Sequence, residues 1–190
     1  MSRRWLSSAA AVALAAAAVA LIGTAIDHEG RKLPLSETGV IREQAAAKHL
    51  DPALIAAVIY AESKFDPRPS PAGALGLMQI LPATALYIAH LSGGYRFNTS
   101  DLATPSINVA YGSYYLRYLL DHYNGNEMLA LAAYNGGVSN VDSWLAHAGA
   151  DGRSLTLESI PFGETRAYVE RVLAAQRAYR ASYPRQLGLA

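Results

Sequence analysis

The chain has 190 residues, 52% of them hydrophobic, and a formal net charge of +1. That length buries one good core rather than two, and the near-neutral balance leaves no basic stripe to neutralise nucleic-acid phosphates. The absence of cysteine excludes disulfides, thiolate metal sites and cysteine nucleophiles.

Read from the N-terminus, the first feature is an export segment. Arg3 and Arg4 precede an uncharged run over 5–26 that ends in small residues, Gly23-Thr-Ala25. Cleavage after Ala25 suits a signal peptide, yet 22 residues also suffice to span a bilayer; ten of them are alanine, which makes a mediocre permanent anchor. Either reading places the rest of the chain in the cell envelope, periplasmic or on the outer face of the cytoplasmic membrane. Without Arg3 and Arg4 the 16 basic residues fall to 14 against 15 acidic ones, so the exported part is close to neutral. The expected layout is the signal peptide or membrane anchor over 1–26, a short polar tether over 27–35, one folded domain over 36–183 and a tail over 184–190.

A helix is expected from about Gly39 to His49. The next begins at Asp51-Pro52, where an Asp suits the N-cap and a Pro the first helical position. Ile55, Val58 and Ile59 stand at i, i+3 and i+4 on its apolar stripe, and the i+7 position is Glu62. A carboxyl group there loses hydration, which favours its protonated form and suits a general acid. The alternative is a helix-end Glu turned to solvent or paired with a base.

Three prolines and a glycine in the stretch from Asp66 to Gly73 exclude regular helix. Pro82 opens a helix that should stop near Gly93, and a polar connection follows from Asn98 to Pro105. A strong helix runs from Pro105 to Tyr123, with a broad apolar and tyrosine-rich face that is either core or a platform for sugar rings. A short helix from Glu127 to Tyr134 is stopped by Asn135-Gly-Gly137. Another passes through Val141 and Trp144, and the last spans about Glu164 to Tyr183. About seven helices around one core, an all-α class, is the expected architecture.

Five blocks occur in order: Glu62-Ser-Lys-Phe-Asp-Pro67, Ser70-Pro-Ala-Gly-Ala-Leu-Gly-Leu-Met-Gln79, Pro82-Ala-Thr-Ala85, Ala132-Ala-Tyr-Asn-Gly136 and Ile160-Pro-Phe-Gly-Glu-Thr-Arg-Ala-Tyr-Val169. Together they resemble the soluble lytic transglycosylase family. The resemblance implies a lysozyme-like fold and a catalytic domain over 36–183. It also implies cleavage of the β-1,4 bond between N-acetylmuramic acid and N-acetylglucosamine in peptidoglycan, leaving a 1,6-anhydromuramic acid end. Glu62 would act as acid and then as base, without metal or other cofactor, in a monomer whose partner is the glycan strand.

Carried over block by block, Ser70, Gln79, Tyr134, Asn135 and Glu164 become substrate-binding candidates. Each has a structural alternative. Ser70 is also a turn residue between prolines, Asn135 a helix C-cap, and Glu164 a first-turn acid that complements the helix dipole. Asp66 is the nearest second carboxyl in sequence, but it lies in a loop after the helix. The stretch Arg68-Pro-Ser70 is one residue shorter than the family pattern, which predicts a shift of Ser70 or Gln79 relative to Glu62. Two other functions remain open: a hydrolytic muramidase of the same fold, and a non-catalytic peptidoglycan-binding module.

Overall fold

The computed structural model describes residues 32–93 and 97–189. The signal or anchor reading of 1–26 lies outside those residues, as does most of the tether. Each predicted helix is present, with ends within a few residues of expectation. In chain order they are α1 (Thr38–Lys48), α2 (Pro52–Ser63), α3 (Pro82–Ser92), α4 (Pro105–His122), α5 (Glu127–Gly136), α6 (Val138–Ala150) and α7 (Gly163–Ser182).

Two short pieces were not anticipated. Thr99–Ala103 is a turn of 3-10 helix inside the polar connection, closed by the Asp101 carboxylate accepting from the Asn98 N–H at 2.9 Å. Pro184–Leu187 forms α8, with Leu187 buried, in the stretch expected to be a tail. Pro184 at the first helical position and Gly188 at the C-cap are the local reasons it forms. Among the described residues there is no strand, only an isolated antiparallel bridge between Leu75 and Ile80.

The helix ends follow the sequence chemistry. The Asp51 side chain accepts from the Ala53 N–H at 3.0 Å, and Asn126 does the same for Leu129 at 3.1 Å. Gly93 closes α3 in the left-handed conformation that glycine adopts without a Cβ penalty.

Within the compact unit Pro34–Ala190, α2 is the central helix. Residues 53–59 are all buried, so α2 is enclosed on every side and not only along the stripe through Ile55 and Ile59. Its most extensive partner is α7, which runs antiparallel to it. The start of α2 is tied to α7 by Asp51, whose second carboxylate oxygen accepts from Gln176 at 2.7 Å and from Arg180 at 3.0 and 3.1 Å. Tyr179, fully buried on α7, donates its hydroxyl to the Pro34 carbonyl at 2.6 Å. The far end of α2, where the chain leaves this dry interior, carries Glu62.

Candidate active site

Glu62 stands in the last turn of α2, mostly buried. Burial pushes its carboxyl up to about 7, and the Tyr168 hydroxyl and then the Arg171 guanidinium pull the other way without prevailing. A helix C-terminus, with its partial negative charge, is itself a poor place for a carboxylate. Among the described residues the causes of that shift include no carboxylate. Asp66 is occupied elsewhere, in an exposed ion pair with Arg68 at 2.6 Å. Among the described residues Glu62 is the carboxyl group pushed upward, and it is poised between its two protonation states near neutral pH.

Two tyrosines accompany it, Tyr134 partly buried and Tyr168 buried. Tyr134, at the end of α5, has its hydroxyl pKa raised well above normal by burial and then by the Glu62 charge. It donates to the Met78 carbonyl at 2.9 Å. Tyr168, on α7, is likewise raised by burial and by Glu62. Its hydroxyl lies close enough to the carboxyl to stabilise the charged form, but no hydrogen bond with full geometry is closed, and it has no other partner. A buried hydroxyl left open beside a carboxyl can receive or donate to a group that enters the site.

The loop over 66–80 lines the same region and is held by polar ties. Ser63 Oγ donates to the Leu77 carbonyl at 2.7 Å, joining the end of α2 to the loop. Asn108 on α4 is fully buried and makes three bonds. It accepts from the Met78 N–H at 2.8 Å and donates to the Leu75 and Leu102 carbonyls at 2.8 and 3.1 Å. Gly76 has φ +74, and a Cβ there would sit 2.2 Å from Asn108 Nδ2. The close approach that needs a glycine at 76 is therefore to Asn108. Gly73, at φ +79, has open space where a Cβ would be, which leaves room for a ligand.

Ser70 and Gln79 fall in this loop, and both are engaged within it. Ser70 Oγ accepts from the Ala74 N–H at 3.0 Å. Gln79 sits in the left-handed region at φ 48 and donates its side-chain amide to the Arg68 and Gly76 carbonyls at 3.0 and 2.8 Å. Neither hydrogen-bonds to Glu62. Asn135 is exposed inside the last turn of α5, not at its C-cap, which is Gly137. Its Oδ1 accepts from Thr165 Oγ1 at 2.8 Å, joining the end of α5 to the start of α7. Glu164 lies exposed in the first turn of α7. Among the described residues no cluster of three or more His, Asp or Glu side chains could hold a metal ion.

The Transglycosylase SLT domain family profile matches residues 39–156. The chain belongs to this family. It is 35% identical over 164 residues to the soluble lytic murein transglycosylase of Escherichia coli K12, an alignment covering 84% of this chain and 25% of that protein. Among solved structures, the 70 kDa soluble lytic transglycosylase of E. coli aligns with a TM-score of 0.75 at 34% identity, over 84% of this chain and 26% of that one. An inactive mutant of the lytic transglycosylase Slt from Pseudomonas aeruginosa aligns with a TM-score of 0.72 at 34% identity, over 78% and 24%. The lysozyme-like all-α fold follows from these structures. The chain spans about a quarter of the length of the curated relatives it matches.

Sequence reasoning assigned no site role to three residues that the structure brings to the site. Tyr168 was legible only as a packing residue, because its approach to Glu62 joins positions 106 apart in a chain of 190. Asn108 carried a clearer signal, a lone amide between Ile107 and Val109 near the start of α4, where a buried side chain must find partners. Ser63 follows Glu62 directly, and its bond to Leu77 depends on how the loop folds back.

Proposed function

We propose that this SLT domain cleaves peptidoglycan glycan strands as a lytic transglycosylase, with Glu62 as its only acid and base. The observation that carries this reading is a mostly buried carboxyl at the end of α2, raised to about 7 by burial, with no second carboxylate among the described residues acting on it. Ordinary glycosidases place two carboxyl groups about 5 to 9.5 Å apart, one to protonate the leaving oxygen and one to attack or to activate water. With one carboxyl, the second role passes to the substrate. Protonated Glu62 gives its proton to the bridging oxygen as the bond to the muramic acid C1 breaks. The resulting carboxylate takes the proton of the muramic acid 6-hydroxyl as that oxygen bonds to C1. The anhydro ring closes, Glu62 is protonated again, and no water is consumed.

Neighbouring groups fit these steps. Tyr134 and Tyr168 keep their protons, because burial and the adjacent carboxyl oppose ionisation, so both remain hydroxyl groups at any physiological pH. Arg171 favours the carboxylate that appears after the first proton transfer. Ser70, Gln79, Asn135 and Glu164 complete the substrate contacts, the first two by holding the loop that borders the sugar. The envelope location, export or anchoring through 1–26, a catalytic domain that takes in α8 beyond its expected end at 183, and a monomeric state belong to the same proposal.

Mass spectrometry of purified sacculi digested with the protein decides between this reaction and hydrolysis. Muropeptides with anhydro ends are expected. Products one water heavier would assign a hydrolytic muramidase, and no cleavage by the unmutated protein would assign a binding module.

A further inference from the structure

A row of aromatic rings leads away from Glu62, and the reaction above leaves most of it unused. Tyr134 lies 5.5 Å from Tyr115, centroid to centroid, and Tyr115 stacks on Tyr118 at 6.2 Å with the planes 11° apart. Tyr118 meets Tyr87 edge-on at 6.0 Å, and the Tyr87 hydroxyl donates to that of Tyr118 at 3.1 Å. The row starts beside the carboxyl and ends in solvent, with Tyr87 45% exposed and Leu91, one turn along α3, 43% exposed. A row that served only core packing would not finish as a hydroxyl-paired couple at the surface.

Its chemistry is that of a neutral, amphipathic ligand. The four rings carry no formal charge, offer flat apolar faces to C–H groups, and bring a hydroxyl at each step. The two hydroxyls share one hydrogen bond, which leaves the other O–H of the pair able to donate outward. A polymer of acetylated sugars presents matching faces and acceptors, and a polymer seated at Glu62 must continue past it.

We propose that Tyr87 and Tyr118 form a distal subsite that stacks on sugar rings of the same glycan strand and sets a preference for longer strands. This rests on the reading that the Glu62 site takes a glycan. The two can fail separately.

The test uses peptide-free glycan strands, released from sacculi by an amidase and sorted by length. With the full chain, Tyr87→Ala and Tyr118→Ala are expected to lower the ratio of kcat/KM on long strands to that on the shortest cleavable strand by about tenfold, the scale of one good aromatic contact. In a Glu62→Gln background, Tyr87→Ala should raise the calorimetric Kd for a long strand by a similar factor. Tyr87→Phe keeps the ring and should retain most of the preference; if it loses as much as alanine does, stacking is not the contact. A ratio and a Kd that stay at the parental values, or equal losses on long and short strands, overturn the subsite while leaving cleavage intact. Absent cleavage combined with a Tyr87-dependent Kd overturns the catalytic reading and keeps the subsite.

Discussion

The α2–α7 pair and the 66–80 loop both border Glu62, and they are made rigid by different means. The helix pair contributes Ile55, Ile59, Val169 and Val172, all excluded from solvent, each burial stabilising by about 1.5 to 3 kcal/mol. The loop has no regular structure beyond one bridge and is held by hydrogen bonds from Ser63 at its entrance and from Asn108 and Tyr134, which are remote from it in sequence. Apolar packing is tolerant of chemistry but sensitive to volume. Polar ties reverse this, since removing one partner strands the other. The helix side thus sets the electrostatics of the carboxyl, and the loop side sets the shape around it.

The sharpest way to break this division is at Glu62 itself. Glu62→Gln should reduce cleavage by about 10³-fold or more while the fold persists, measured by release of soluble muropeptides and by far-UV circular dichroism. The same variant tests the desolvation argument through stability. A carboxyl raised from 4.5 to about 7 contributes stability that is full below about pH 4.5 and lost as pH rises to about 7. Glu62→Gln should therefore match the parent near pH 4 and melt higher at pH 8. The shift corresponds to at most about 3 kcal/mol, several degrees. A lower melting temperature at pH 8 would show that the carboxylate is held by its neighbours instead.

Asn108→Ala should come next, on the loop side. It removes the bonds to the Met78 N–H and to the Leu75 and Leu102 carbonyls, of which Leu75 keeps its bond from the Ile80 N–H, at a cost of about 2 to 4 kcal/mol, and activity should fall with the melting temperature. If activity survives the loss of this tie, the loop does not shape the site. The pH profile of the unmutated protein should decline as pH rises through about 7, because the acid must start protonated. Tyr168→Phe should move that decline to higher pH, since the hydroxyl favours the charged form. Its melting temperature should change by only about 2 °C, because the hydroxyl has no partner to lose. Ser63→Ala, removing one tie from the helix to the loop, should cost about 1 kcal/mol, read by chemical denaturation.

The division also explains what could be read from sequence. Helix ends were legible because Asp51-Pro52 and Gly93 are local signals whose partners lie within a few residues. Glu62 was legible as a carboxyl on an apolar stripe, although the stripe proved to be one side of a helix buried all round. The ties were not. Asn108 reaches Met78 across 30 positions and Tyr134 reaches it across 56, and neither pairing has a local pattern. Ser70 and Gln79 could be placed in the loop from their motif, but their engagement with Ala74, Arg68 and Gly76 depends on how the loop closes.

The junction at Asp51 has a metric consequence. One oxygen of its carboxylate fixes where α2 starts, and the other fixes which residues of α7 lie alongside, Gln176 and Arg180. Eleven residues of helix at 1.5 Å each carry that alignment about 16 Å to Glu62. Asp51 is in effect the zero mark of a ruler on which Glu62 and Tyr168 are read against each other. A substitution such as Asp51→Ala would let the scale slide, misplacing the Glu62 carboxyl from the opposite end of the helix.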